Sequence, residues 1–283
     1  MKLECALYVV ATPIGNLRDI SLRALDVLGS ADVIAAEDTR NTAHLLTHYG
    51  ITAQRLQALH QHNERGAAEK VLGMLQQGQS VALVSDAGTP AVSDPGALLV
   101  EAVRAAGFRV IPIPGASAAV SALSAAGLST PHFLFYGFLP SKSAARSREL
   151  QALVEAPYTL VFYEAPHRIL ECVADLHSVF GGEREIVLAR ELTKLFEQLH
   201  RCKLGEALDW LNADPNHQRG EFVVLVSAAP PREAGLSAEA EHVLATLLAE
   251  LPLKQAVQLA VQITGLNKNE LYQRALELKD ANN

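Results

Sequence analysis

The sequence is poor in cysteine and in aromatic residues, and it has no long apolar run. Its three cysteines, Cys5, Cys172 and Cys202, form no CxxC pair and no metal-binding spacing. This distribution excludes a disulfide framework and indicates a reduced environment. The N-terminal apolar run is too short to span a membrane, and its Pro-Ile-Gly end is unlike a signal cleavage site. We therefore expect a cytoplasmic protein with no membrane partner.

Positive charge is also in short supply. Lys and Arg total 24 against 31 Asp and Glu, which gives a formal net charge of −7. This balance disfavours a protein that holds nucleic acid by general electrostatic attraction, but it permits a local basic surface that binds a folded RNA. His60 and His62 are the only closely spaced histidines, and no third ligand lies nearby. We therefore predict no metal site.

The most informative stretch is SVALVSDAGTPAVSDPG, residues 80–96. An apolar run typical of a doubly buried strand leads into a loop of small residues. Ser93 and Asp94 before Pro95 have the pattern of a helix N-cap. No Lys follows, and the carboxylates of Asp86 and Asp94 would repel phosphate but favour ribose hydroxyls, an amine or a sulfonium. An ordinary surface turn with two caps explains this loop alone about equally well.

Strands and helices alternate through residues 1–128, which predicts a parallel sheet with right-handed crossovers. The loops that follow four of the strands should then emerge at one edge of the sheet, where open α/β sheets bind ligands. Turn preferences explain their Gly, Pro, Ser and Thr content, but Glu37, Asp38 and Arg40 are charges that no turn requires. We therefore predict a pocket formed by the loops at residues 12–16, 37–41, 85–90 and 114–117.

Other local patterns complete the predicted architecture. Asp19 is expected to cap the first helix, and Arg146 and Arg148 are expected to be exposed on a helix over residues 143–155. Residues 129–229 have strands without a helix between every pair, which is typical of a mixed sheet. After a linker at residues 229–235, three helical segments have a helix-turn-helix outline. We interpret this tail as a packing unit in preference to a DNA-reading element.

The predicted fold is therefore α/β, and one family shares its motifs along essentially the whole chain. The shared strings are LYVVATPIGNLRDISLRALDVL, AAEDTRNTAHLL, VSDAGTPAVSDPG, PIPGASAAVSALSAAGL, FYGFLPSK, FYEAPHRI, ARELTK and GEFVVLV. They resemble the ribosomal RNA small-subunit methyltransferase I family, a branch of the tetrapyrrole-methylase-like (class III) S-adenosylmethionine methyltransferases.

The resemblance implies two α/β domains, residues 1–128 and 129–229, with the cofactor cleft between them and a helical appendage at 236–283. It implies 2′-O-methylation of a decoding-region cytidine in 16S ribosomal RNA by S-adenosylmethionine. The resemblance further implies that the protein binds 16S RNA within the small ribosomal subunit and forms a homodimer. No DNA partner is expected.

The resemblance also implies the cofactor site. The first family loop matches Pro13 and Gly15, although Leu17 stands where the wider superfamily has a second glycine. Thr89 replaces the aspartate of the Gly-Asp-Pro loop, so we expect backbone contacts there and a carboxylate supplied by Asp86. The residues expected to bind S-adenosylmethionine are Pro13, Gly15, Ser85, Asp86, Gly88, Thr89, Val92, Ala116 and Ser117.

Methyl transfer from a sulfonium requires in-line placement, and a ribose hydroxyl needs a base or a cation that stabilises the developing alkoxide. The candidates are one carboxylate, Glu37 or Glu164, and one cation, Lys194 or Arg190. Each has a structural alternative: Asp38 beside Glu37 would cap a helix, Glu164 would satisfy the helix at Pro166, and ARELTK would form an ion-pair row.

Local cations would meet the RNA, although a solvated helix face is the commoner role for such residues. They are Lys142, Arg146, Arg148, Lys194, Arg201, Lys203, Lys254, Lys268 and Arg274. Two rival functions remain open. A tetrapyrrole methyltransferase of the same fold would need an aromatic, roomy cleft, and a non-catalytic DNA-binding module would normally be basic.

Overall fold

The computed structural model describes residues 2–59, 64–230 and 238–280. The chain divides into two compact units, Met1–Ala229 and Pro230–Asn283. The first unit contains both predicted α/β halves, and their boundary near residue 128 stays a prediction. The His60 and His62 pair and most of the predicted linker lie outside the described residues.

The first sheet is parallel throughout, as predicted. Its strands are β1 (Leu7–Val10), β2 (Val33–Ala36), β3 (Leu56–Ala58), β4 (Val81–Val84) and β5 (Val110–Ile113), in the order β3-β2-β4-β1-β5. Parallel strands need crossover connections, and the helices that provide them cover both faces of this sheet. For this reason β2 and β4 are buried along their whole length.

Alternate residues of each strand point to opposite faces, and each face has its own helices. Helices α1 (Leu22–Ser30) and α2 (Thr39–His48) cover the face that includes Ile34 and Ala82. Helices α3 (Glu64–Gln76) and α4 (Ala97–Ala105) cover the face that includes Val33 and Leu83. Because all five strands are parallel, their carboxyl ends meet at one edge of the sheet.

The second sheet is mixed, also as predicted. Its strands are β6 (Phe133–Phe138), β7 (Thr159–Glu164), β8 (Glu185–Arg190), β9 (Gln198–Lys203) and β10 (Phe222–Val226), in the order β6-β7-β10-β8-β9. Only the pair β6 and β7 is parallel. One face packs on α6 (Ser143–Gln151), α7 (Ile169–Phe180) and α8 (Ala207–Ala213). The other face packs on the alanines of α5 (Ala118–Ala125).

Two predicted helix caps are wrong. Asp19 belongs to a 3-10 turn, and the hydroxyl of Ser21 caps α1 by accepting from the Ala24 N–H at 3.1 Å. Ser93 does not begin α4, because its φ of 63° turns the chain in the left-handed region. The helix starts only after Gly96, whose φ is 127°. This extra turn leaves the Asp94 carboxyl free of the capping role.

The predicted exposure of Arg146 is also wrong. Its side chain is fully buried, and its Nε lies 2.6 Å from an Asp175 carboxylate oxygen on α7. Arg146 precedes the buried Leu150 by four residues, so both lie on the inner face of α6. Lys142 and Arg148 remain exposed in this segment.

The C-terminal unit contains the three expected helices, α9 (Ala238–Glu250), α10 (Leu253–Thr264) and α11 (Lys268–Asp280). Gly265, with a φ of 69°, ends α10, and the Asn267 side chain accepts from the Asn269 N–H at 2.8 Å. Arg274 forms ion pairs with Glu241 and Glu277, so its charge is compensated within the unit. In the parts of the chain that the structure describes, every helix is too short or too polar to cross a membrane.

Candidate active site

The four predicted loops do converge at one edge of the first sheet. The backbones of Thr12 and Gly88 exchange two hydrogen bonds of 2.9 and 3.0 Å. The Thr89 hydroxyl donates to the Ala116 carbonyl at 3.2 Å, which joins the loops after β4 and β5. The Asp86 N–H donates to Glu37 Oε2 at 3.2 Å, which joins the loops after β4 and β2. The parallel sheet thus assembles a site from residues far apart in sequence.

A cavity of about 330 Å³ lies between this edge and the second sheet. The first sheet contributes Gly88, Thr89, Val92, Asp94 and Ser117 to its wall. The second sheet contributes Phe138, Tyr163, Glu164, Ala189, Glu221 and Phe222. None of the described residues that line this cavity is a Lys or Arg. The wall therefore combines apolar surface with carboxylic acids, which suits a ligand that has a flat apolar part and a positive charge.

The nine predicted cofactor residues fall into three groups. Gly88, Thr89, Val92 and Ser117 line the cavity directly, and Ala116 supports Thr89. The others lie elsewhere: Pro13, Ser85 and Asp86 border a second cavity of about 240 Å³, and Gly15 packs against Thr193 and Lys194. Gly88 has a φ of 81°, and a Cβ there would lie 3.5 Å from Ile14 Cγ2. A side chain at position 88 would therefore strain the loop and fill part of the wall.

Asp94, for which the sequence left a ligand-facing carboxylate and a helix cap equally open, lies in the cavity wall. Burial, followed by the negative charges of Glu37 and Asp86, raises the pKa of Asp94 from 3.8 to about 7. A carboxyl that titrates near neutrality in a cleft is typical of a functional site. The position of Asp94 among the loop carboxylates is visible in the sequence, but the burial of its side chain is not.

Glu37 and Asp38 are adjacent in sequence but differ in environment. Burial raises the pKa of Glu37, and the charges of Asp86 and Asp38 add to this effect, while the Asp86 N–H opposes it. Hydrogen bonds from the Arg40 side chain and backbone lower the pKa of Asp38 to about 2. Asp38 also caps α2, which confirms the structural alternative considered for it.

Glu164 lines the cavity but is already engaged. Its Oε1 accepts from the Ala165 N–H at 2.8 Å and lies 3.2 Å from Nε of Arg168. Its side chain is fully buried, so it satisfies the turn at Pro166 as the structural alternative proposed. Its Oε2 is buried and has no hydrogen-bond partner among the described residues, so Glu164 is part of the wall with no carboxylate oxygen exposed to solvent.

The two candidate cations, Arg190 and Lys194, differ in burial and in their distance from the cavity. Arg190 is buried and donates to the Arg219 carbonyl at 3.1 Å, and it does not line the cavity. Lys194 Nζ lies 2.8 Å from Glu191 Oε1 and 2.7 Å from Glu221 Oε2. Because Glu221 lines the cavity, Lys194 stands at its border. Glu191 and Thr193 have φ values of 51° and 65°, so this turn is held in an uncommon backbone conformation.

Tyr163 is a site residue that no sequence motif singled out. It lines the cavity, and its hydroxyl oxygen accepts from the Ala119 N–H at 3.2 Å. Burial raises the pKa of Tyr163 above its usual value of 10.0. The sequence feature that could have indicated Tyr163 is its place as an aromatic residue next to Glu164 at the end of a predicted strand. Within the described ranges, no three His, Cys, Asp or Glu side chains are grouped closely enough to hold a metal ion.

Two family models match the chain. The one described as Tetrapyrrole (Corrin/Porphyrin) Methylases matches residues 6–208, and the one described as RsmI C-terminal HTH domain matches residues 234–279. The chain is 56% identical to Ribosomal RNA small subunit methyltransferase I of Pseudomonas aeruginosa over 273 residues, which is 96% of each protein. It is 54% identical to the protein of the same name from Escherichia coli O157:H7, covering 96% of this chain and 94% of that one.

Solved structures share the fold at low sequence identity. The methyltransferase CobJ has a TM-score of 0.60 at 22% identity and covers 81% of this chain and 97% of its own. Uroporphyrin-III C-methyl transferase from Thermus thermophilus, in complex with S-adenyl homocysteine, has a TM-score of 0.55 at 16% identity, covering 78% and 96%. These similarities establish the arrangement of the two sheets.

Proposed function

The chain belongs to the tetrapyrrole (corrin/porphyrin) methylase family and, within it, to the ribosomal RNA small subunit methyltransferase I group, and from this premise we propose that it methylates 16S ribosomal RNA with S-adenosylmethionine. The acceptor is the 2′ hydroxyl of a decoding-region cytidine. The observation that carries this proposal is 56% identity over 96% of the chain to a protein of that name.

The cavity fits S-adenosylmethionine. Its volume of about 330 Å³ lies within the range of roughly 300–1,000 Å³ that is usual for small-ligand sites. Its acidic, partly apolar wall suits a cationic sulfonium joined to an adenosine. In our proposal Gly88, Thr89, Val92 and Ser117 hold the donor, and Asp94 faces its positive charge. When bound, the donor supplies an electrophilic methyl group.

The chain's own residues then activate and orient the acceptor hydroxyl. We assign the base to Glu37, which is joined to the Asp86 loop although it does not itself line the cavity, in preference to Glu164, whose side chain is fully buried with its Oε1 held by Arg168 and the Ala165 N–H. Burial raises the pKa of Glu37, which makes its carboxylate a better proton acceptor. For the cation we favour Lys194, whose side chain is 29% exposed at the cavity border, over the buried Arg190.

The partners follow from the same premise. We propose that the protein acts in the cytoplasm, as a homodimer, on RNA within the small ribosomal subunit. The formal charge of −7 supports recognition by fit to a folded particle, since it disfavours general attraction to polyanions. The tetrapyrrole rival is supported by the fold of the solved structures, whereas the names of relatives at 56% and 54% identity favour ribosomal RNA.

The test is transfer of tritiated methyl from S-adenosylmethionine to small subunits purified from a strain that lacks this protein. We expect label at one nucleotide, with a backbone that resists alkaline cleavage there. Glu37→Ala should abolish transfer while the donor still binds, whereas Gly88→Ala, at a residue of the donor cavity wall, should weaken donor binding. Label on a tetrapyrrole precursor and none on RNA would overturn the proposal and favour the tetrapyrrole methyltransferase function.

A further inference from the structure

The aromatic ring of Phe138 stands at the mouth of the cavity. Phe138 ends β6 and lines the cavity, yet 53% of it is exposed to solvent. Its ring meets that of Tyr163 edge-on, with centroids 5.7 Å apart and planes at 67°. An apolar ring that is both part of a pocket wall and half open to water is available to a ligand that enters from outside.

The loop that follows Phe138 is held by two arginine side chains. Arg168 donates to the carbonyls of Leu139 and Pro140 at 2.7 and 3.1 Å. Arg146 donates to the same Pro140 carbonyl at 3.4 Å from the other helix. Two guanidinium groups from α6 and the start of α7 thus converge on one loop carbonyl.

Each of these arginines is paired with an acid. Arg146 is fully buried 2.6 Å from Asp175, and Arg168 is 19% exposed and 3.2 Å from Glu164. Desolvation offsets most of the attraction in a buried ion pair, so such pairs are weak evidence for stability. Both arginines of these ion pairs donate to the loop after Phe138, which indicates that the geometry of this loop must be fixed.

We propose that Phe138 stacks on the base of the nucleotide that is methylated, and that Arg168 and Arg146 are positioning residues that hold it for this contact. The inference rests on the proposed function. A ribose inside a folded RNA must leave its stack to reach the donor cavity, and single bases taken out of a stack are held on aromatic rings. Among the described aromatic residues that line that cavity, Phe138 is the exposed one.

A second copy of the chain fits this position less well. A stable interface buries roughly 800 Å² on each partner, which is far more than one half-exposed ring that also lines a pocket can supply. A planar base matches the size of the ring, and stacking tolerates any base identity. The proposal therefore commits to one unstacked RNA nucleotide as the occupant.

The chain offers a matched control in Phe133. It lies at the other end of β6, is also 53% exposed and does not line the cavity. Phe138→Ala should raise KM for small subunits roughly 5- to 150-fold, the range that corresponds to a stacking contact of about 1–3 kcal/mol. Phe138→Tyr should restore KM, and Phe133→Ala should leave it unchanged. The Kd for S-adenosylmethionine, measured by calorimetry, should be unchanged in Phe133→Ala and should change much less than KM for the subunits in the two Phe138 variants.

The positioning role has its own control. Arg184 is also buried and donates to the carbonyls of Ser227 and Val154 at 3.0 and 3.3 Å, away from the cavity wall. Arg168→Lys and Arg184→Lys should lower the urea midpoint similarly, because each loses hydrogen bonds to carbonyls. Only Arg168→Lys should raise KM for the subunit, with a smaller change in kcat.

These measurements test the stacking role of Phe138 and the proposed function separately. Unchanged KM in Phe138→Ala, with normal wild-type transfer, would overturn the stacking role and leave the proposed function intact. A weaker Kd for S-adenosylmethionine with unchanged KM for RNA would also overturn it and assign Phe138 to the donor. A wild-type protein that labels no RNA would overturn the proposed function itself.

Discussion

Replacing Asp94 by Asn should make stability less dependent on pH. Burial and the nearby charges of Glu37 and Asp86 raise the pKa of Asp94 to about 7. Between the ordinary carboxyl pKa and pH 7 the folded protein therefore binds more protons at this site than the unfolded chain does. The free energy of unfolding of the wild type must then fall as the pH rises through this window.

The size of this effect can be bounded from the shift. A change from 3.8 to about 7 corresponds to about 4 kcal/mol, at about 1.36 kcal/mol per pKa unit. Asp94 is only partly buried, so solvent screening reduces this to about 1–2 kcal/mol. Asn cannot ionise, and Asp94→Asn should therefore be about 1 kcal/mol more stable relative to wild type at about pH 8.5 than at about pH 5.

Urea unfolding of both proteins at the two pH values measures this difference. Asp32→Asn is the control, because the pKa of Asp32 is shifted in the opposite direction from that of Asp94. Hydrogen bonds from the Ser80 N–H and hydroxyl lower the pKa of Asp32. That variant should be destabilised by the same amount at both pH values, since both lie above the pKa of Asp32. An Asp94→Asn difference that does not change with pH would refute the inference that Asp94 is ionised at a cost.

Three further variants test other parts of the structure. Asp175→Ala leaves the buried Arg146 with only the exposed carboxylate of Glu171, 3.7 Å away, and should lower the free energy of unfolding by about 3 kcal/mol; adding Arg146→Met should recover most of this in urea titrations, and no recovery would contradict the ion-pair explanation. Glu37→Gln should lower kcat roughly 100-fold or more with an unchanged Kd for S-adenosylmethionine, and a kcat near that of wild type would remove Glu37 as the base. Gly15→Ala places a Cβ 2.5 Å from Lys194 Cγ, 2.8 Å from Thr193 Oγ1 and 3.1 Å from the Leu192 carbonyl oxygen, so the turn must shift, and both transfer of tritiated methyl and the midpoint of unfolding should fall; full activity would show that this contact is not needed.

Much of the candidate site was predictable because its loops follow strands. Parallel strands joined by right-handed crossovers must end at one edge, so Gly88, Thr89 and Ser117 could be placed together without coordinates. Glu37 was singled out because its charge has no role in a turn. The family motifs then named the donor that these loops would hold.

The environment of individual side chains was not predictable. Arg146 was expected at the surface because α6 is rich in polar residues, yet it shares a face with Leu150 and meets Asp175, which lies 29 residues further along the chain. Asp94 looked like a cap because Pro95 follows it. Two left-handed residues, Ala91 and Ser93, turn it into the cavity instead.

The alternation of strands and helices, the common edge of the loops and the family can be read from the amino-acid sequence, because apolar periodicity and local motifs are properties of short segments. Which charges are buried, which are paired and which face the cavity becomes visible only in the folded chain. Burial and pairing depend on contacts between segments that are distant in sequence, as between Glu37 and Asp86 or between Phe138 and Tyr163. Those contacts convert an acidic loop edge into a site with one carboxyl that titrates near neutrality and one aromatic ring at its mouth.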